Sequence, residues 1–211
     1  MYSIREATDV VWLAMMATTA KDADNSAPGA ADARPPAPPP RLSLAQMNAL
    51  PDVDFRRIFS NVVECCPEVA VALATQRPFS SVGAAAQAAA DILEALPEAA
   101  RRRVLLLHPD LAGRLAQHGL LTAESQREQQ AAGVLRLDPE RAQRLALLNT
   151  RYRERFGFPY VVCAREKKSS EQILEDLQQR VERSREDELR TGIDEVKKIC
   201  RLRLQELVAD D

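Results

Sequence analysis

The 211-residue chain is poor in the residues that usually announce catalytic chemistry. It has two histidines and four cysteines, and no C-x-x-C pair. Cys65 and Cys66 are adjacent, while Cys163 and Cys200 stand alone. That spacing argues against a structural zinc site, and four cysteines in a chain this long do not form a disulfide framework. They read as small buried hydrophobes in a reducing compartment. The longest strongly apolar run, Val10 to Ala17, is far short of the roughly 20 residues a membrane span needs. Residues 41–211 carry 26 basic and 26 acidic side chains, so no basic footprint for nucleic acid is expected. No phosphate-binding G-x-x-x-x-G-K-[ST], no G-x-G-x-x-G and no G-x-S-x-G is present. An enzyme built from this chain is expected to work without a metal or nucleotide, and without nucleic acid or membrane as partner.

What is present divides at residue 40. Six of the 13 prolines lie between Pro28 and Pro40, ending in Pro35-Pro36-Ala37-Pro38-Pro39-Pro40. Such a stretch builds neither helix nor ladder and has little apolar surface to offset ordering entropy. Residues 1–40 therefore read as a disordered extension with a proline-rich linker. Val10 to Met16 resembles a short signal core, but Glu6 and Asp9 precede it, which makes a poor secretory signal.

From Leu42 the pattern is helical. Phe55, Ile58, Phe59, Val62 and Val63 fall on one helix face, and Pro67 closes that helix and opens the next. Ser81 caps an alanine-rich run ending near Leu96, Pro97-Glu98 starts another helix, and Asp138-Pro139-Glu140 joins a cap, a proline and a first-turn acid. Ser169 with Gln172 offers a capping box. The last helix is predicted from about Glu186 to Val208. Phe158 to Ala164 is strand-like by propensity but has no partner, so a buried connector is expected. The predicted fold is all-α: one domain over 41–211 with seven to nine helices.

Four features stand out. His108 precedes Pro109 at the end of an apolar run, so it sits at a helix end as a proton-exchanging group or as a simple cap. Ser125, Glu128 and Gln129 share one helix face behind the cap Thr122, suited to a polar small ligand or to solvent. With Leu189 taken as zero, Arg203 falls at about −40°, inside the stripe of Val196, Cys200 and Leu207. A guanidinium there requires an anion, either a ligand or an internal carboxylate. Finally, Phe156-Gly157-Phe158-Pro159-Tyr160-Val161-Val162 is a connector whose backbone can form a pocket wall or a plain helix–helix joint.

Together with R-P-F-S (Arg77–Ser80), H-P-D-L-A-G (His108–Gly113), L-T-A-E-S-Q-R-E-Q (Leu121–Gln129), L-N-T-R-Y-R-E-R-F-G-F-P-Y (Leu148–Tyr160) and E-V-K-K-I-C-R-L-R-L (Glu195–Leu204), these features make residues 42–207 resemble the 2-oxo-4-hydroxy-4-carboxy-5-ureidoimidazoline (OHCU) decarboxylases of uric acid degradation. The resemblance implies a cofactor-free, homodimeric, helical enzyme that follows uricase and the hydroxyisourate hydrolase and releases CO2 to give (S)-allantoin. It implies that His108 is the acid/base and Glu128 its carboxylate partner. It implies substrate contacts from Pro109, Ser125, Gln126, Arg127, Gln129 and Arg203, and from the backbone of Tyr160, Val161, Val162, Cys163 and Ala164. Tyr160 departs from a phenylalanine common in the family. Animal members often end in a peroxisomal tripeptide, whereas this chain ends Ala209-Asp210-Asp211. A peroxisomal location is implied, with the cytoplasm as the alternative. The competing functional class is a catalytically silent helical module whose leader docks a partner. A serine hydrolase built on Ser125 and His108 lacks the nucleophile elbow.

Overall fold

The computed structural model describes residues 41–167 and 169–209, so the leader and proline-rich linker lie outside the described residues. Ten α-helices are present among them: α1 (Leu44–Ala49), α2 (Asp52–Ile58), α3 (Pro67–Ala74), α4 (Val82–Ala95), α5 (Glu98–Leu106), α6 (Arg114–Gln117), α7 (Ala123–Ala131), α8 (Pro139–Phe156), α9 (Ser170–Arg180) and α10 (Arg185–Leu207). The surplus over seven to nine is accounted for by short pieces such as α6, four residues long. No described helix is long and apolar enough to cross a membrane.

Most boundaries follow local chemistry. Side-chain oxygens of Ser81, Thr122, Asp138 and Ser169 each accept the backbone N–H three residues on, satisfying a first-turn donor. Pro67 and Pro139 occupy first-turn positions, where a missing N–H costs nothing. Gly157, at φ 77°, ends α8 in the left-handed region. One boundary differs from the sequence pattern. The face from Phe55 to Val63 does not belong to a single helix, because α2 stops at Ile58. Ser60 Oγ donates to the Arg57 carbonyl and Asn61 Oδ1 accepts the Cys65 N–H, so local side chains draw the backbone away from the helix ladder. Val62 and Val63 are still buried, but in a turn.

The long α10 packs against α4 and α5, α3 against α2 and α4, and α9 against α8. The approach of α10 to α5 is close: a Cβ on Gly192 would lie 2.9 Å from Leu105 Cδ1. An unexpected two-residue parallel ladder joins β1 (Leu42–Ser43) to β2 (Val208–Ala209), pairing Leu42 with Val208. It fastens the start of the described chain to its end. Phe158 to Cys163 is an irregular buried connector leading into a 3-10 turn at Ala164–Glu166, so its strand propensity finds no partner among the described residues.

Candidate active site

The site is built from the ends of helices. Helix α5 delivers His108 just past its last turn, where the His108 N–H donates to the Leu105 carbonyl. Three contacts fix the loop that follows. Arg153 from α8 forks onto Asp110 at 2.9 and 3.3 Å, Asn149 donates to the Leu111 carbonyl at 3.0 Å, and the Ala112 N–H donates to Gln129 Oε1 at 2.8 Å. Ala112 sits at φ 49°, a left-handed conformation that a non-glycine residue holds only when its surroundings dictate it.

The opposite wall is the connector. The Tyr160 hydroxyl donates to Asp176, Arg180 Nη1 donates to the Val161 carbonyl at 2.9 Å, and the Cys163 N–H donates to Glu195 Oε2 at 2.7 Å. The Arg180 guanidinium lies over the Tyr160 ring, 4.7 Å from its centroid. Arg180 is itself balanced by Glu188 at 2.9 Å, a fully buried carboxylate that also accepts from Tyr152.

Between these walls lies a narrow, partly open cleft. Of the residues singled out from sequence, His108, Pro109, Ser125, Glu128, Gln129, Tyr160, Val161, Val162, Cys163, Ala164 and Arg203 line it, joined by Leu111, Arg165 and Ile199. Gln126 and Arg127 do not. They are exposed and face away, because one and two steps along α7 turn a side chain by about 100° and 200° from Ser125. Burial pushes the thiol of Cys163 up to about 11, and the acids Glu166, Glu195 and Glu128 add to the rise, so it is no nucleophile at neutral pH.

The imidazole of His108 is 6% exposed. Its Nδ1 lies 2.9 Å from the Val104 carbonyl oxygen. A carbonyl only accepts, so Nδ1 carries the proton and Nε2 carries the lone pair. Nε2 is buried without a hydrogen-bond partner among the described residues. Burial pushes the imidazole pKa down to about 4; the Val104 bond and Glu64 pull it up, and Arg203 pushes it further down. The ring is therefore neutral at pH 7, a base with its lone pair unused.

Arg203 is 2% exposed and compensated internally. Its Nε and Nη2 fork onto Glu128, both at 2.8 Å, Nη2 also lies 2.8 Å from Glu64 Oε2, and Nη1 donates to the Asn61 carbonyl at 2.9 Å. Burial alone would lower its pKa, but the hydrogen bonds and charge of Glu128, then those of Glu64, outweigh this and raise it. Glu128 thus meets Arg203 and not His108, since a buried planar cation takes the carboxylate that fits its fork. The carboxylate acting on His108 is Glu64, a residue passed over in the sequence. It is 2% exposed, accepting from Thr122 Oγ1 at 2.7 Å and from Ser125 Oγ at 2.9 Å. The available signal was a lone acid within Val62-Val63-Glu64-Cys65-Cys66, an otherwise apolar run.

A family model described as OHCU decarboxylase matches residues 48–205. The 2-oxo-4-hydroxy-4-carboxy-5-ureidoimidazoline decarboxylase of Amia calva is 42% identical over 167 residues, covering 79% of this chain and 95% of that protein. The Mus musculus protein of the same name is 43% identical over 167 residues, covering 79% of this chain and 93% of its own. In fold, the chain is similar to a solved (S)-allantoin synthase at TM-score 0.63 and 20% identity, covering 79% of this chain and 54%, about half, of that one. With the match spanning nearly all of the helical domain and the cleft residues inside it, the chain belongs to the OHCU decarboxylase family.

Proposed function

We propose that this protein converts 2-oxo-4-hydroxy-4-carboxy-5-ureidoimidazoline to (S)-allantoin and CO2, with His108 as the base and acid. Family membership supports the substrate. The observation that carries the chemistry is His108 Nε2: buried, unprotonated and without a partner among the described residues, beside a small cleft into which Ser125, Glu128, Gln129 and Arg203 also reach. The substrate bears a hydroxyl and a carboxylate on one ring carbon next to a ring C=N bond. As the carbon–carboxylate bond breaks, its electron pair forms a carbon–carbon double bond and the C=N pair moves onto nitrogen. No external electron sink is required. The resulting enol loses its hydroxyl proton, and the neighbouring carbon gains one on a single face. Counting the carboxylate form of the substrate, the net reaction takes up one proton, which passes from solvent to the ring nitrogen that received the C=N pair. His108 Nε2 accepts the hydroxyl proton and returns it to carbon, a role worth roughly 100- to 10,000-fold in rate. The cleft walls hold the ureido and ring groups in place.

The reading includes a homodimer, for which Leu115, Leu120 and Leu147 offer exposed apolar surface; sedimentation at micromolar concentration tests it. The activity is tested with substrate generated freshly by uricase and hydroxyisourate hydrolase. The dichroism of (S)-allantoin and the release of CO2 are expected to outrun the spontaneous, racemic decay. His108→Ala is expected to abolish the dichroism signal and keep the helical spectrum. Full activity in that variant refutes the reading.

A further inference from the structure

We propose that Glu64 is a positioning residue that turns Ser125 into a hydrogen-bond acceptor toward the ligand and so sets which face of a ureido-type ligand the cleft takes. The inference rests on the decarboxylase reading of this cleft.

Ser125 Oγ has one proton, and Glu64 Oε2, an acceptor at 2.9 Å, takes it. Arg203 Nη2, at 3.4 Å, can only donate to the same oxygen. Ser125 therefore offers the cleft a lone pair and no proton. Gln129 has the opposite polarity. Its Oε1 accepts the Ala112 N–H, which leaves its NH2 as the donating end. His108 Nε2 is an acceptor, as the Val104 contact requires. The cleft thus carries two acceptors, Ser125 and His108, and a donor, Gln129. Its complement presents N–H or O–H to the first two and a carbonyl or carboxylate oxygen to the third. A ureido group on an oxidised ring has that alternation.

Both anchors of this polarity sit beside strained backbone. Cys65, next to Glu64, lies at φ 48°, and Ala112, which holds Gln129, at φ 49°. Asn61 stitches the first: it accepts the Cys65 N–H through Oδ1, donates to Glu124 at 2.8 Å and gives its carbonyl to Arg203. A turn that only packed would not need this network to aim one carboxylate at Thr122, Ser125 and Arg203 together.

The test is Glu64→Gln in the full chain. The amide is isosteric, but it removes the charge and can donate to Ser125, reversing the hydroxyl. KM is expected to rise on the order of tenfold, with a smaller change in kcat, because a hydrogen bond to a charged group is lost. The titration of His108, which faces Glu64, Arg203 and, across the cleft, Glu128, is expected to move down once the upward pull of Glu64 is gone. With two histidines in the chain, ring nitrogen shifts resolve it. Unchanged KM, kcat and titration overturn the inference. If Glu64→Gln does not fold, a structure of the native protein with (S)-allantoin decides. A ligand N–H on Ser125 Oγ supports the inference and a ligand oxygen there overturns it. Absence of stereoselective turnover in the native protein removes the decarboxylase reading and this inference with it, whereas normal native turnover with an indifferent Glu64→Gln removes the inference alone.

Discussion

The neutrality of His108 ties stability to acid. In the folded chain its pKa lies near 4, while in the unfolded chain an imidazole titrates near 6.5. The folded pKa is the lower one, so the unfolded state binds the proton first. Stability is full above pH 6.5 and falls as pH drops toward 4. Linkage puts the loss from this group at about 2 kcal/mol at pH 5 and about 3 kcal/mol once both states are protonated. Because carboxylates also titrate in this range, the informative quantity is a difference between proteins. Urea unfolding of the native chain and of His108→Gln at pH 7.5, 6, 5 and 4.5 is expected to show the native chain losing about 2 kcal/mol more than the variant between pH 7.5 and 5. Exposed His118 remains in both proteins and cancels. Parallel stability curves would show that the imidazole is not desolvated, and would remove the argument that it waits as a neutral base.

Other substitutions separate the parts of the site. Arg180→Met leaves buried Glu188 without its main cation and frees the Val161 carbonyl; a loss of about 3–5 kcal/mol is expected in urea unfolding, with KM raised because the connector wall loosens. Glu128→Ala removes the forked partner of Arg203 and leaves the guanidinium to Glu64; kcat/KM is expected to fall at least 100-fold, about 3 kcal/mol, with far-ultraviolet dichroism unchanged. Gly192→Ala drives a methyl into Leu105; a destabilisation of about 1–3 kcal/mol is expected by thermal unfolding, together with reduced turnover, since Leu105 belongs to the helix that ends at His108.

The parts of the fold legible in the sequence were those set by neighbouring residues. Ser81, Thr122, Asp138 and Ser169 cap helices because a cap needs only an oxygen and an N–H three residues on. Arg203 was conspicuous because a charge inside an apolar stripe violates a helical period. What the sequence hid depends on distant pairing. The early end of α2 follows from Asn61, whose side chain serves Cys65 and Glu124 and whose carbonyl serves Arg203. That Glu128 is held by Arg203 was hidden because spacing along α7 shows which side chains share a face and not what meets that face. Glu64 went unread because it lies in a turn, where no period marks a buried position.

The 23 residues of α10 give the molecule a measuring rod. Glu188, Gly192, Glu195, Ile199 and Arg203 fall within an arc of about 80° along roughly 22 Å of that rod. The same face holds the cation under the connector, the contact with α5, the connector amide and the guanidinium of the cleft. Exchanges of side chains can be absorbed one at a time. Loss or gain of a single residue between Glu188 and Arg203 cannot, because it would swing one end by about 100° against the other and uncouple the wall from the charge it faces. The length of this segment, more than its composition, is what descendants of this chain are least free to alter.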